Sequence, residues 1–237
     1  LSVYHLLAYY LSFFFFGVFG LALNLACLAG AVMPATARTE RFFQRLIHRH
    51  FALWVWWLTF ARLVYFRCDD FGTLPQRRGL VIVANHPGLM DVTYLLARRA
   101  EAVCVFKPAI RRNPILGAAA RSAGYLSSDG GHDTIRAAAN KVAAGHTLLV
   151  FPDGTRSPEH GMRPLKSGFA LVARMAQAPI QLVRIACDSP LLVKDRAWWK
   201  VPPLPAQVTV TLGPCLPPPA PRARIEEMLV AVEDWYR

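Results

Sequence analysis

Between Leu6 and Met33 this 237-residue chain has no Asp, Glu, Lys or Arg. A charge-free run of that length is not a solvated surface helix. At ~1.5 Å per residue about 20 residues cross a hydrocarbon core, so the run can span with tilt or form two shorter re-entrant pieces. A secretory signal would have a ~7–15-residue apolar region with basic residues ahead of it. Here the basic residues, Arg38, Arg41, Arg45 and Arg49, come after the run. By the positive-inside tendency, the rest of the chain is expected on the cytoplasmic face of a bacterial-type inner membrane. Cysteine is scarce as well. Cys27, Cys68, Cys104, Cys187 and Cys215 are odd in number, scattered and without a C-x-x-C pair, which argues against a disulfide framework or zinc site and fits a reducing compartment. No H-E-x-x-H and no carboxylate cluster occurs, so no metal is expected. No G-x-S-x-G elbow supplies an internal serine nucleophile. Acidic residues number 15 against 27 Lys and Arg, leaving a net charge of +12. Such a surface suits phosphates of nucleic acid or of an anionic membrane. With an apolar N-terminal region and no helix-turn-helix, RNP-like or zinc-finger pattern, nucleic acid is set aside and membrane lipid head groups are the expected partner.

What is present divides the chain into three parts. Residues 1–37 form the hydrophobic membrane-inserted segment, 38–72 an amphipathic, interfacial helical segment, and 73–237 an α/β domain. The helical pattern from Glu40 runs to Phe66, and Trp54, Trp56 and Trp57 suit a membrane interface belt, the competing role being packing against the domain. Cys68-Asp69-Asp70-Phe71-Gly72 breaks the pattern. Beyond it, apolar runs at 80–85, 102–106, 147–151, 180–186 and 207–212 are expected as strands. Helices are expected at 91–99, 114–122, 133–144, 166–177 and 222–236. This alternation predicts a mostly parallel sheet covered by helices, carried on an N-terminal helical membrane anchor.

Two stretches carry chemistry. Val81-Ile82-Val83-Ala84 followed by Asn85-His86-Pro87-Gly88 reads as a buried strand that stops abruptly and delivers His86 to its carboxyl end, where open α/β sheets place their sites. Asp91 follows five positions later. A continuous helix would separate the two side chains, but the Pro87-Gly88 turn lets Asp91 open the next helix and point back at the imidazole. An Asp-oriented His is a general base, and with no internal nucleophile it would activate a substrate hydroxyl. From these residues alone, a strand cap and a helix cap stay as open as catalysis. The second stretch, Phe151-Pro152-Asp153-Gly154-Thr155-Arg156-Ser157, follows another apolar strand. Its glycine, hydroxyl and planar cation suit a phosphate or oxyanion, although Asp-Gly is also a common turn pair.

Asn85 and His86 through Asp91, Lys107 with Asn113-Pro114-Ile115-Leu116-Gly117, Phe151 to Ser157, Lys166-Ser167-Gly168 and Pro179-Ile180 resemble, in order and spacing, the motifs of the glycerolipid (lysophosphatidate) acyltransferases. The resemblance covers roughly residues 75–190. It implies that His86 takes a proton from an acceptor hydroxyl, that Asp91 orients it, and that the hydroxyl attacks an acyl thioester on coenzyme A or acyl carrier protein, with no other cofactor. Asn85, Lys107, Asp153, Gly154, Thr155 and Arg156 are then the expected substrate-binding residues. Two features depart from the family. Asp153 stands where Glu is usual, and Gly124-Tyr125-Leu126-Ser127-Ser128-Asp129-Gly130 lacks an Arg that contacts the acceptor phosphate. Losing such a contact weakens affinity about ten- to a hundredfold unless Arg111, Arg112 or Arg121 replaces it. The alternatives are a non-phosphate specialised lipid acceptor or an acyltransferase-like lipid-binding protein without catalysis.

Overall fold

In a computed structural model, residues 2–28, 30, 33–34, 36–74, 79–156 and 163–236 are described. Ser157 and His160 lie outside them. Helix α1, Val3–Leu28, is one continuous rod, and α2, Ala37–Phe60, runs after it. The chain then alternates as β1 (Val64–Cys68), β2 (Leu80–Ala84), α3 (Asp91–Leu96), β3 (Ala102–Phe106), α4 (Gly117–Ser122), β4 (Leu126–Ser127), α5 (His132–Ala143), β5 (Thr147–Val150), α6 (Gly168–Ala176), β6 (Ile180–Cys187), β7 (Ala206–Leu216) and α7 (Ile225–Tyr236).

The strands form one sheet in the order β1-β7-β6-β2-β5-β3-β4. Every neighbouring pair is parallel except β6 with β7. Every residue of the central strand β2 is buried, which explains its unbroken apolar sequence: a parallel strand covered on both faces has no solvent side. Its side chains alternate between two cores. Ile82 and Ala84 join α1 to α4 on one face, while Val81 and Val83 join α5, α6 and α7 on the other. Because β2, β3, β4, β5 and β6 run the same way, their carboxyl ends and the turns that follow share one edge.

The α/β class and the mostly parallel sheet agree with the sequence expectation. Two local readings do not. Helix α2 ends at Phe60 rather than Phe66. Arg62 takes a left-handed backbone with φ 50° and the Leu63 N–H closes back on Leu58 O at 2.9 Å, so Val64–Cys68 emerges as an edge strand parallel to β7. Strand β4, only two residues long, had no pattern to find.

Helix α1 is tied into the domain by polar contacts. Asn24 Oδ1 accepts the N–H groups of Ala118 and Ala119 at 2.6 and 3.1 Å, satisfying the start of α4. Ser122 Oγ donates to Cys27 O at 3.0 Å. Trp54, expected in an interface belt, is instead buried against Phe13 and Phe16, and Trp57 donates its indole N–H to Ser12 Oγ at 2.9 Å. Trp56 does stay exposed, stacked on Phe60. Among the described residues α1 is the one helix long and apolar enough to cross a membrane. Most of its aromatic and aliphatic side chains are exposed, which is the distribution a lipid-facing helix needs and a water-facing one does not. Its length, composition and exposure suit association with a membrane.

Candidate active site

The site begins where β2 stops. Asn85 closes a two-point clasp on β6: its Nδ2 donates to Ile185 O at 2.8 Å and its Oδ1 accepts the Ile185 N–H at 2.7 Å. This side chain, expected among the substrate-binding residues, thus holds the sheet edge from which His86 emerges. The Tyr236 hydroxyl of α7 supports the same edge from behind, within hydrogen-bond reach of Val83 O and Val183 O at 2.8 and 2.9 Å.

Pro87 and Gly88 then reverse the chain, and Asp91 becomes the first residue of α3. His86 Nδ1 lies 2.9 Å from Asp91 Oδ2, and the same oxygen accepts the Gly88 N–H at 2.7 Å. Asp91 is buried while the His86 side chain keeps 17% of its surface. Burial pushes the Asp91 carboxyl up, and the His86 hydrogen bond, the Gly88 N–H and the Arg156 charge oppose that shift. Ionised, Oδ2 accepts from both donors. The imidazole then carries its hydrogen on Nδ1 and presents Nε2 as the basic nitrogen. Phe151, just past β5, stacks on the ring with centroids 4.3 Å apart and planes inclined at 26°. The ring is therefore fixed by a carboxylate at its edge and an aromatic face beneath it. Gly88 is required by packing rather than by φ, because a Cβ there would meet Leu191 O at 2.9 Å.

The turn after β5 sits alongside. Asp153 is buried and Gly154 adopts φ +65°, a conformation natural to glycine. A Cβ at Gly154 would meet Lys166 Nζ at 2.8 Å, so the Lys166 ammonium lies over the bare backbone of this turn. Lys107, at the end of β3, brings its Nζ 3.4 Å from Thr155 Oγ1. Two ammonium groups thus converge on the Gly154-Thr155 turn. Arg156 points elsewhere: its Nη1 donates to Leu192 O and Val193 O, both at 2.8 Å. The expected head-group contact is therefore engaged with the backbone of the β6–β7 connection. Of the arginines considered as substitutes, Arg121 donates to Arg111 O at 2.7 Å, and Arg111 and Arg112 are exposed on the turn after Lys107. Asn113 is structural, its side-chain oxygen accepting the Ile115 and Leu116 N–H groups at 2.8 and 3.2 Å.

Sequence reasoning singled out neither Phe151 as a partner for the imidazole nor the 191–193 backbone as a partner for Arg156. Phe151 had a signal, since it begins the second motif. The 191–193 carbonyls had none, because backbone atoms carry no residue-specific mark. Among the described residues no cluster of His, Cys, Asp or Glu has the makings of a metal site.

Residues 66–186, just over half the chain, match the family model described as Acyltransferase. The chain belongs to that family. A 1-acyl-sn-glycerol-3-phosphate acyltransferase of Helicobacter pylori strain J99 is 30% identical over 108 residues, which cover 43% of this chain and 46% of that protein. The matched stretch thus spans less than half of that relative. The crystal structure of the 1-acyl-sn-glycerophosphate (LPA) acyltransferase PlsC from Thermotoga maritima superimposes with a TM-score of 0.71 at 20% identity, covering 98% of this chain and 91% of that one. With 98% of this chain covered, the likeness extends through the N-terminal helices.

Proposed function

We propose that this chain is a membrane-bound O-acyltransferase that moves an acyl group from a thioester of acyl carrier protein or coenzyme A to the hydroxyl of a lysophospholipid or related lipid. The single observation that carries the reading is the 2.9 Å contact between His86 Nδ1 and Asp91 Oδ2 at the carboxyl end of β2, inside the stretch that matches the family. His86 Nε2 takes the acceptor's proton as its oxygen attacks the thioester carbonyl, and Asp91 stabilises the imidazolium that forms. The tetrahedral intermediate collapses with cleavage of the C–S bond. The departing thiolate recovers the proton from His86, leaving an ester and a free thiol. Lys107 and Lys166 flank the Gly154-Thr155 turn and hold an anionic head group by charge. Asp153, buried beneath the turn, shapes it. The catalytic domain faces the cytoplasm, where both thioesters are made.

Two observations favour a second reading of the acceptor. Arg156 is engaged by two backbone carbonyls, and no arginine ends the Gly124–Gly130 stretch. Both features favour a lipid alcohol without a phosphate. Membranes carrying the chain, supplied with each acyl thioester and with lysophosphatidate or a neutral hydroxylated lipid in turn, test the reading. The expected result is transfer to one acceptor class and a loss of about 10²–10⁴-fold in His86→Ala at equal protein level. Lipid binding with no transfer to either class would make the chain a non-catalytic member of the family.

A further inference from the structure

The 18 residues between β6 and β7 are held at both ends. Near the site, Leu192 O accepts the Leu89 N–H at 3.1 Å as well as Arg156. Near α1, Tyr9 Oη donates to Trp198 O at 2.6 Å and Tyr10 Oη donates to Trp199 O at 2.8 Å. The connection is a strap from the catalytic turn to the N-terminal helix. What it presents there is unusual for a loop in water: two adjacent indoles, 52% and 58% exposed.

These indoles lie at the margin of an apolar stripe. Leu7, Tyr10, Leu11, Phe14, Val18, Leu21, Leu25 and Leu28 are all exposed, and their three- and four-residue spacing places them along one side of α1. Tyr10 belongs to this stripe and is also the residue that holds Trp199. Phe13 touches the Trp198 ring with centroids 6.3 Å apart. Lys194 and Lys200 bracket the pair and are exposed. Of the strap's two acids, Asp188 accepts the Gln207 N–H and Asp195 is exposed.

We propose that the β6–β7 strap is a second bilayer-contacting element, which seats Trp198 and Trp199 in the head-group layer of a phospholipid membrane beside α1. An indole is apolar on its faces and polar at its N–H, which suits that layer better than water or hydrocarbon. Lys194 and Lys200 sit where lipid phosphates would meet them. The strap thereby holds the turn carrying Leu89 and His86 close to the surface from which a lipid acceptor arrives. The inference rests on the membrane reading of α1.

The test uses the full chain reconstituted in vesicles of phosphatidylglycerol and phosphatidylcholine, with and without lipids brominated near the head group. Wild type is compared with Trp198→Phe/Trp199→Phe, whose fold is checked by circular dichroism. The fluorescence lost on substitution isolates the two indoles. The expected result is that this component is blue-shifted, quenched by the shallow bromines and shielded from aqueous acrylamide. A component quenched fully by acrylamide and untouched by bromine overturns the proposal while α1 still carries the chain to the vesicles. Shielding from both quenchers together with cross-linked dimers assigns the surface to a second copy and also overturns it. A chain that fails to float with the vesicles overturns the membrane reading as well.

Discussion

The turns after β2 and β5 share one sheet edge, yet they are built on opposite plans. The first closes on itself: His86, Gly88 and Asp91 meet within six residues, with one carboxylate oxygen accepting two donors. The second reaches outward. Phe151 crosses to His86, Lys107 comes to Thr155 from β3, and Arg156 extends to Leu192 and Val193 from beyond β6. The His86–Asp91 pair is set by residues close in sequence. An outward-reaching turn depends on whatever the rest of the chain places opposite it, and that is where substrate choice can change while the reaction does not.

The contrast is broken most severely at the first turn. Asp91→Asn, which keeps size but removes the charge that stabilises the imidazolium, is expected to lower turnover about 10²–10⁴-fold with little change in acceptor KM. An altered KM with turnover intact would move Asp91 into substrate binding. Arg156→Ala sharpens the other side. Removing two charge-assisted hydrogen bonds to the strap should loosen residues 189–196, seen as faster proteolytic cleavage there, and lower kcat/KM about tenfold. Arg156→Lys has one ammonium for two carbonyls and should recover only part of this loss. A pure phosphate contact would instead raise KM for a phosphorylated acceptor and leave cleavage unchanged. Gly88→Ala pushes a methyl against the Leu191 carbonyl and should destabilise the fold by about 1–3 kcal/mol in denaturant unfolding. An unaffected midpoint would mean that the turn after β2 and the β6–β7 connection are less closely seated.

The smallest effect is in pH. Burial raises the folded-state pKa of Asp91, so the folded chain binds that proton more tightly than the unfolded one. The associated stability is fully present below the ordinary carboxylate pKa and is lost as pH rises through the raised folded value. The stability difference between wild type and Asp91→Asn should therefore favour wild type most at acid pH and narrow on the way up. A difference that widens with pH would show that the carboxyl's partners outweigh its burial.

The two plans also explain how much of the molecule was legible in the sequence. The His86–Asp91 geometry follows from a strand, a Pro-Gly reversal and a helix start, all local features. The parallel sheet follows from apolar runs of strand length, and the edges of β3 at 102 and 106 were legible for that reason. Strand β1 was hidden because Val64-Tyr-Phe-Arg-Cys extends an apolar helix without a proline or glycine, and the break is made by Arg62 in a left-handed conformation that its side chain does not advertise. The clasp that Asn85 makes was not legible, because its partner is the backbone of Ile185, 100 residues away. The Arg156 bonds to Leu192 O and Val193 O were hidden for the same reason.

A double-mutant cycle on acyl transfer tests the claim that His86 and Asp91 act as one unit. Rates are compared for wild type, His86→Ala, Asp91→Asn and the double variant, at equal amounts in the same membranes. The account predicts that the double variant is no slower than His86→Ala alone, since an aspartate has nothing to orient once the imidazole is gone. Losses that multiply, or a His86→Ala chain that turns over at the wild-type rate, would contradict it.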